Sequence, residues 1–274
     1  MTVLGGFDVA IRLACFGAVL ALMMALEWAL PRRTRRLRRW QRWPGNGAMV
    51  GIATVATRFI VPFAAIGVAA TAEAQGWGLF NQIALPDWVE VAVAVVVLDL
   101  VIYGQHVAFH MQPWLWRIHR THHSDPDLDV TTALRFHPIE ILLSLLIKLG
   151  AVLFLGASPL AVLIFEVLLN ATAMFNHSNI ALPLSVDALL RRVLVTPDMH
   201  RIHHSIDARE TNSNFGFNLP WWDWLFGTYR AQPAAGDMGI TIGLSGFRAS
   251  RDQRIDQLLI QPLRPAVIEG ADHG

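Results

Sequence analysis

Tight clusters of histidine lie among long apolar segments of this 274-residue chain, and this combination constrains the fold most strongly. The spacings are His-x-x-x-His once and His-x-x-His-His twice, formed by His106, His110, His119, His122, His123, His200, His203 and His204. His137 and His177 stand alone between the second and third clusters. Neutral imidazole is a ligand for several transition metals. The pattern therefore predicts a polyhistidine metal site.

The apolar composition indicates a membrane protein. Hydrophobic residues make up 54% of the chain and charged residues 16%, which is more apolar than an ordinary soluble domain. No internal repeat divides the sequence, so we predict one domain over residues 1–247 and a polar tail over residues 248–274, where His273 is expected to be exposed. The single cysteine, Cys15, cannot form an internal disulfide.

Four apolar regions are long enough to cross a bilayer. They cover residues 9–30, 48–70, 89–105 and 139–174. The last is interrupted by Gly156-Ala157-Ser158-Pro159, which predicts a hairpin of two crossing helices. The expected fold is all-α, an integral membrane bundle of about four or five spanning helices.

A run of arginines after the first apolar region predicts the orientation in the membrane. Nucleic acid is an alternative partner for such a run, but the positive-inside rule explains it more simply. The run contains Arg32, Arg33, Arg35, Arg36, Arg38, Arg39 and Arg42. A cytoplasmic position for this loop puts the N-terminus outside and the histidines in a cytoplasmic helical cap. The loop could dock an acidic electron donor, although anchoring to anionic lipid is the simpler use.

The spacing within the clusters indicates two metal ions. Residues at i and i+4 share one face of a helix, so His106 and His110 can bind the same ion. Adjacent residues point about 100° apart, so the His-His pair ending each later cluster can reach two neighbouring ions. Ligand type alone does not choose among Fe, Zn, Cu and Ni.

Other polar residues have two interpretations each. His137 and His177 are either ligands or packed residues at a membrane boundary. Asp125, Asp127 and Asp129 could bind a hard cation, but a solvated loop is the simpler interpretation.

The ordered boxes resemble the fatty acid hydroxylase superfamily, which also contains the sterol desaturases. They are His106-x-x-x-His110, His119-Arg120-Thr121-His122-His123-Ser124, Arg135-Phe136-His137-Pro138-Ile139-Glu140, Asn176-His177-Ser178-Asn179 and His200-Arg201-Ile202-His203-His204. Two downstream segments are also similar, Asn214-Phe215-Gly216 and Trp222-Asp223-Trp224-Leu225-Phe226-Gly227-Thr228-Tyr229. The likeness covers residues 90–230. The second box with Thr131-Thr132-Ala133-Leu134 also resembles the alkylglycerol monooxygenase branch.

This resemblance implies a non-haem di-iron centre that uses O2 to oxidise a C–H bond of a lipid, giving an alcohol or a double bond. The implied iron ligands are the eight clustered histidines, with His177 as a ninth. His137 is implied either as a ligand or as a partner of one. Many family members have a paired box near the singlet, but Ala173 stands four residues before His177. The tenth ligand is therefore open between His137 and a water held by Asn176.

A stripe of polar residues leads from the membrane to the first cluster. Asp99, Tyr103, His106 and His110 follow helical spacing. An intramembrane carboxylate is costly unless it is partnered. Three roles are therefore open for Asp99. It orients a ligand imidazole, it pairs with Arg58 or Lys148, or it only joins helices. Further candidates for contacts with the ligands are Asn176, Glu140 and Asp198.

The predicted function is lipid hydroxylation, with lipid or sterol desaturation as the alternative. A zinc-dependent membrane hydrolase and a metal transporter are candidates of other classes. The chain lacks the His-Glu-x-x-His motif expected of such a hydrolase. A metal transporter would place its histidines at the midplane of the membrane. The chain has no dinucleotide-binding fingerprint and no cysteine set for an iron–sulfur cluster. Electrons are therefore expected from a separate ferredoxin or cytochrome-like donor.

Overall fold

The computed structural model describes residues 7–61 and 65–265, and these residues contain helices and no strand. This confirms the all-α prediction. The α-helices are α1 (Phe7–Ala29), α2 (Arg39–Ile60), α3 (Ala65–Gln75), α4 (Asp87–Met111), α5 (Pro113–His123), α6 (Pro138–Leu155), α7 (Pro159–Asn176), α8 (Leu184–Leu190), α9 (Pro197–His203), α10 (Ala208–Thr211), α11 (Trp221–Phe226), α12 (Gly236–Gly239) and α13 (Ile255–Ile260). Short 3-10 helices lie at Phe80–Gln82, Val130–Leu134, Ser250–Gln253 and Gln261–Leu263.

Five helical segments of the described chain are long and apolar enough to cross a membrane, in agreement with the predicted four or five. One is the stretch Arg39–Gln82, which contains α2 and α3. The others are α1, α4, α6 and α7. The predicted third span ends at Gln105, whereas α4 continues to Met111 and so carries the first histidine cluster on the same helix.

The predicted interruption at Gly156-Ala157-Ser158-Pro159 is the turn between α6 and α7. Gly156 ends α6 with a φ of 66°, a conformation that favours glycine. A Cβ at Gly156 would also lie 2.6 Å from the Trp77 carbonyl oxygen. The Ser158 hydroxyl accepts the Ala161 N–H at 3.2 Å at the start of α7. Glu90 of α4 accepts from the Ser158 hydroxyl at 2.7 Å, which ties the turn to a neighbouring helix.

The apolar core of the bundle joins α3, α4, α6 and α7. Alanines are fully buried along these helices, among them Ala69, Ala94 and Ala161. Small side chains let helix backbones approach closely, which is how helices associate in an apolar solvent. This packing fixes α4 and α7, whose ends carry His106, His110 and His177.

Asp125, Asp127 and Asp129 are buried, so the expected solvated loop is wrong. Arg42 is fully buried beside them. Its guanidinium donates to Asp125 Oδ1 at 2.5 Å and to Asp129 Oδ2 at 2.7 Å. A buried guanidinium needs compensating carboxylates, and this partner lies far away in sequence.

Several arginines of the run form ion pairs inside the protein. Arg32 binds Asp198 and Asp237, at 3.1 Å and 2.8 Å. Arg35 binds Glu27 at 3.2 Å. Arg36 and Arg38 remain exposed. The run therefore ties the end of α1 to the histidine-bearing part of the chain.

Much of the predicted polar tail belongs to the folded body. Gln253 and Leu258 are fully buried. The Gln253 side chain accepts from Arg135 at 2.6 Å, and the Gln261 carbonyl accepts from Arg120 at 2.7 Å. The polar residues of this segment resemble a solvent-exposed tail when the sequence is considered alone. In the folded protein, Gln253 and Gln261 instead bind the buried guanidinium groups of Arg135 and Arg120. His273 lies outside the described residues.

Candidate metal centre

Four parts of the fold present the clustered histidines and His177. His106 and His110 lie in the last turns of α4, and the second cluster lies on α5, which begins at Pro113. His177 directly follows α7. The third cluster is on α9 and the residue after it, His204. Thr196 caps α9, since its hydroxyl accepts the Met199 N–H at 3.4 Å, and Pro197 begins the helix.

Nine histidines gather into two buried groups, and within each group the potential ligand atoms lie within 4.8 Å of one another. The five-histidine group contains His106, His110, His119, His123 and His203. The four-histidine group contains His122, His177, His200 and His204. Each adjacent His-His pair is divided between the groups, as the spacing indicated. The groups touch, because the rings of His123 and His204 stack at 4.4 Å between centroids.

Backbone carbonyls orient several of the imidazoles. The Nδ1 atom of His106 lies 2.8 Å from the Phe215 carbonyl oxygen, and that of His203 lies 2.8 Å from the Ser213 carbonyl oxygen. His177 Nδ1 lies 2.7 Å from the Ala173 carbonyl oxygen. A carbonyl can only accept, so Nδ1 carries the proton in each ring and Nε2 has a free lone pair.

These free nitrogens face one another. His106 Nε2 lies 3.0 Å from His203 Nε2. His177 Nε2 lies 3.0 Å from His122 Nε2 and 3.1 Å from His200 Nε2. Lone pairs facing at this distance repel unless a cation lies between them. The geometry therefore fits a metal ion in each group.

Unpaired nitrogen atoms support the same conclusion. Within the described part of the chain, His110 Nε2 and both ring nitrogens of His204 are buried and have no hydrogen-bond partner. Buried polar atoms are normally satisfied, and metal binding would satisfy atoms of this kind. The donor set of neutral imidazoles suits transition metals, iron included.

Burial keeps the imidazoles neutral. Burial first and neighbouring imidazoles second lower the pKa well below its ordinary value at four positions, His122, His123, His200 and His204. Burial lowers the pKa of His177 to about 4 and that of His203 to about 3. A histidine must be neutral to bind a metal, so these residues are ready to do so at neutral pH.

His137 joins neither group. It precedes α6, where its Nδ1 accepts the Ile139 N–H at 3.2 Å. Its Nε2 lies 3.2 Å from the Leu259 carbonyl oxygen. Both ring nitrogens are thus engaged away from the nine histidines. Asn176, the other candidate at the tenth position, donates to the Phe217 carbonyl oxygen at 3.0 Å, and its buried Oδ1 has no partner among the described residues.

Glu140 contacts a candidate ligand directly. Its Oε1 lies 2.6 Å from His119 Nδ1. A carboxylate in this position fixes the ring orientation and makes the other nitrogen a better donor. Asp198 instead binds Arg32 and Arg201.

Asp99 contacts no candidate ligand imidazole and pairs with neither Arg58 nor Lys148. It accepts the N–H groups of Asn218 and Leu219 at 3.2 Å and 3.1 Å. The Trp222 indole donates to it at 2.8 Å. Lys148 binds Glu166. Asp99 therefore positions the loop that carries the carbonyl groups described above.

Asp223 supports the same loop and was not among the site residues chosen from the sequence. It accepts the N–H groups of Phe215 and Gly216, both at 2.8 Å. Thr228 donates to it at 2.6 Å and contacts the Tyr103 hydroxyl at 2.9 Å. The similarity of residues 222–229 to the family was the available signal.

An apolar cavity of about 180 Å³ reaches the five-histidine group at His106 and His119. It lies among α1, α2, α4, α6 and α7 and is lined mainly by side chains such as Phe16, Val50 and Leu169. Pockets of this kind use a few polar groups to orient an apolar ligand. Here the Gln105 side chain donates to the Ser144 hydroxyl at 2.9 Å, while its buried Oε1 has no partner within the described ranges.

The family model for fatty acid hydroxylases matches residues 91–228, half of the chain, and the chain belongs to this family. This confirms the resemblance found in the sequence. Ornithine lipid hydroxylase OlsE of Rhizobium tropici is 35% identical over 159 residues, covering 56% of this chain and 46% of that protein. Human alkylglycerol monooxygenase is 30% identical over 157 residues, covering 57% and 34%.

A third relative, cholesterol 25-hydroxylase of Rattus norvegicus, is 29% identical over 146 residues, covering 52% of this chain and 47% of that protein. The matches therefore span about half, or less, of the length of these relatives. No solved structure matches the chain.

Proposed function

We propose that this protein is a membrane-bound non-haem di-iron oxygenase that uses O2 to hydroxylate a C–H bond of a lipid. The observation that carries the proposal is the division of nine buried histidines into two groups beside an apolar cavity. The five-histidine group would hold one iron and the four-histidine group the other. The relatives are named as hydroxylases or monooxygenases of ornithine lipid, alkylglycerol and cholesterol, which supports a lipid substrate.

The choice of a redox metal follows from the bond to be oxidised. An aliphatic C–H bond offers no acidic proton and no leaving group, so side-chain acid–base chemistry is not enough. Bound iron supplies the redox chemistry with O2. The protein's part is to hold neutral imidazoles in fixed orientations, as the carbonyls of Phe215, Ser213 and Ala173 do.

The cavity sets the approach of the substrate. Its walls belong to helices long enough to span a membrane, so the lipid enters from the bilayer. The cavity is smaller than the roughly 300–1,000 Å³ of pockets that enclose whole small molecules, and it takes only part of a lipid. Gln105 Oε1 can accept a hydrogen bond from a hydroxyl or amide N–H group on that part.

The orientation and the electron supply complete the proposal. The histidine groups lie on the cytoplasmic side, with the N-terminus outside, because the arginine-rich loop follows α1 on the same side as the histidines. A separate ferredoxin or cytochrome-like protein donates the electrons. Nucleic acid is not a partner.

Desaturation is the second candidate. The Delta(7)-sterol-C5(6)-desaturase of Nicotiana tabacum is 27% identical over 168 residues, covering 57% of each protein. The same centre and cavity serve either reaction, and the fate of the carbon after the first hydrogen is removed decides between them.

The test is lipid mass spectrometry of cells that express the protein together with a bacterial ferredoxin and its reductase, grown under labelled O2. A hydroxylase adds one labelled oxygen to a lipid, whereas a desaturase removes two hydrogens and adds no label. His203→Ala should abolish the product, and His137→Ala should retain it. A wild-type product that persists in His203→Ala would contradict the proposal.

A further inference from the structure

A polar cleft of about 270 Å³ lies between the loop that follows α1 and residues 240–248. Its charged lining consists of five arginines and one aspartate, Arg33, Arg35, Arg36, Arg201, Arg248 and Asp127. Such a surplus of guanidinium groups around one concave site favours an anion. The cleft is separate from the apolar cavity, with which it shares no lining residue.

Two arginines of the cleft, Arg33 and Arg36, form no ion pair with a carboxylate of the described residues. Arg33 donates to the carbonyl oxygens of Asp237 and Ile240, which leave its charge in place. Arg36 is exposed, and its side chain makes no ion pair with any residue of the described ranges. Arg35 and Arg201 are paired with Glu27 and Asp198.

Arg201 forms a buried wall of the cleft. It is only 3% exposed and binds Asp198 through Nη1. Its buried Nη2 has no hydrogen-bond partner among residues 7–61 and 65–265. An unsatisfied nitrogen on a buried guanidinium is costly, and an anion in the cleft beside Arg201 would offset part of that cost through its charge.

We propose that this cleft binds a phosphate group. Guanidinium groups match the geometry of phosphate oxygens, and the hydroxyl-bearing residues Thr34 and Thr241 also line the cleft. The cleft adjoins the end of α1, where a spanning helix leaves the membrane, so the phosphate comes either from a phospholipid headgroup or from solution. A concave site of this volume fits one anionic group better than it fits the face of a protein.

The experiment uses the full-length protein purified in an uncharged detergent. One arm titrates inorganic phosphate against chloride at constant ionic strength by calorimetry. The other arm measures, by native mass spectrometry, retention of phosphatidylglycerol relative to diacylglycerol with the same chains. Arg36→Gln removes one cation from the cleft, and Arg38→Gln removes an exposed cation of the same loop that does not line it. Neither side chain is used in packing, so both variants should fold.

Removal of one nearby cation should weaken binding about five-fold. Phosphate binding that weakens in Arg36→Gln and not in Arg38→Gln supports a site for soluble phosphate. If only the retention of phosphatidylglycerol weakens in Arg36→Gln and not in Arg38→Gln, the result supports a site for a lipid headgroup. The proposal is overturned if neither arm prefers phosphate, if Arg36→Gln binds as wild type does, or if both variants lose binding equally.

Discussion

His106 and His203 direct their Nε2 atoms at each other across 3.0 Å, although they lie 97 positions apart in the chain. Their Nδ1 protons are held by the carbonyls of Phe215 and Ser213. These two hydrogen bonds to carbonyl oxygens of one loop therefore orient the Nε2 lone pairs of His106 and His203 toward a shared point. The loop is part of the candidate metal centre even though none of its side chains is proposed to bind the metal.

Asp223→Asn tests the role of this loop. The amide cannot accept both the Phe215 and the Gly216 N–H groups as a carboxylate does, so the carbonyls that orient His106 and His203 should shift. Loss of such supporting contacts typically costs 10- to 100-fold in metal affinity. Competition with a chelator measures the affinity, and circular dichroism checks that the helices remain. Asp256→Asn, at an exposed aspartate, is the matched control and should bind as wild type does.

Glu140 should act through His119. Glu140→Leu removes the acceptor for His119 Nδ1 and is expected to weaken metal binding about 10- to 100-fold. Glu140→Gln keeps an acceptor oxygen and should lose less. The quantity to measure is the metal dissociation constant of each variant by chelator competition. Equal affinity for wild type and the leucine variant would show that Glu140 does not support metal binding through His119.

The Arg42 and Asp129 pair should matter for stability. Asp129→Asn leaves Arg42 buried with one carboxylate fewer, and breaking a buried pair costs roughly 3–5 kcal/mol. Thermal unfolding in detergent should show a lower Tm. Asp256→Asn, at an exposed aspartate, should leave Tm nearly unchanged.

The same pair gives a pH dependence. Burial alone would raise the pKa of Asp129, but the Arg42 charge and hydrogen bonds from Thr131 outweigh it and lower that pKa to about 2. A lowered pKa in the folded state stabilises the fold above the ordinary value of 3.8. The Tm difference between wild type and Asp129→Asn should therefore shrink as the pH falls from about 4 to about 2. A difference that is constant over this range would assign the effect to packing.

Some parts of this structure follow from local sequence signals. The hairpin at Gly156–Pro159 depends on a glycine and a proline within four residues, and the division of each His-His pair depends only on the helical period. These features need no knowledge of distant partners. They were accordingly predictable from residues close together in the chain.

Other parts depend on contacts between distant segments. Asp125 looks like a solvated residue until Arg42, 83 positions earlier, is placed beside it. Asp99 binds backbone N–H groups at residues 218 and 219, and backbone groups have no signature in the sequence. His137 stands in a family-like box, yet its position before α6 turns its ring away from both groups. For these residues only the fold supplies the partner.

The histidine sets can be tested one residue at a time. His177→Ala removes a member of the four-histidine group and should lower the metal content of the protein by up to one ion per chain. His137→Ala should leave the metal content unchanged, because His137 lies in neither group. Metal analysis of both purified variants, with membrane insertion verified, makes the comparison. Loss of metal in His137→Ala would instead indicate that His137 is a ligand.

The most direct test of the central claim is metal analysis with Mössbauer spectroscopy on protein expressed with labelled iron and purified from membranes without chelator. Two neighbouring iron sites predict about two irons per chain with the signature of a coupled pair, one ion in each histidine group. A single uncoupled iron after full reconstitution would contradict two neighbouring sites. Zinc alone, with no O2-dependent lipid product after iron reconstitution, would contradict the oxygenase itself.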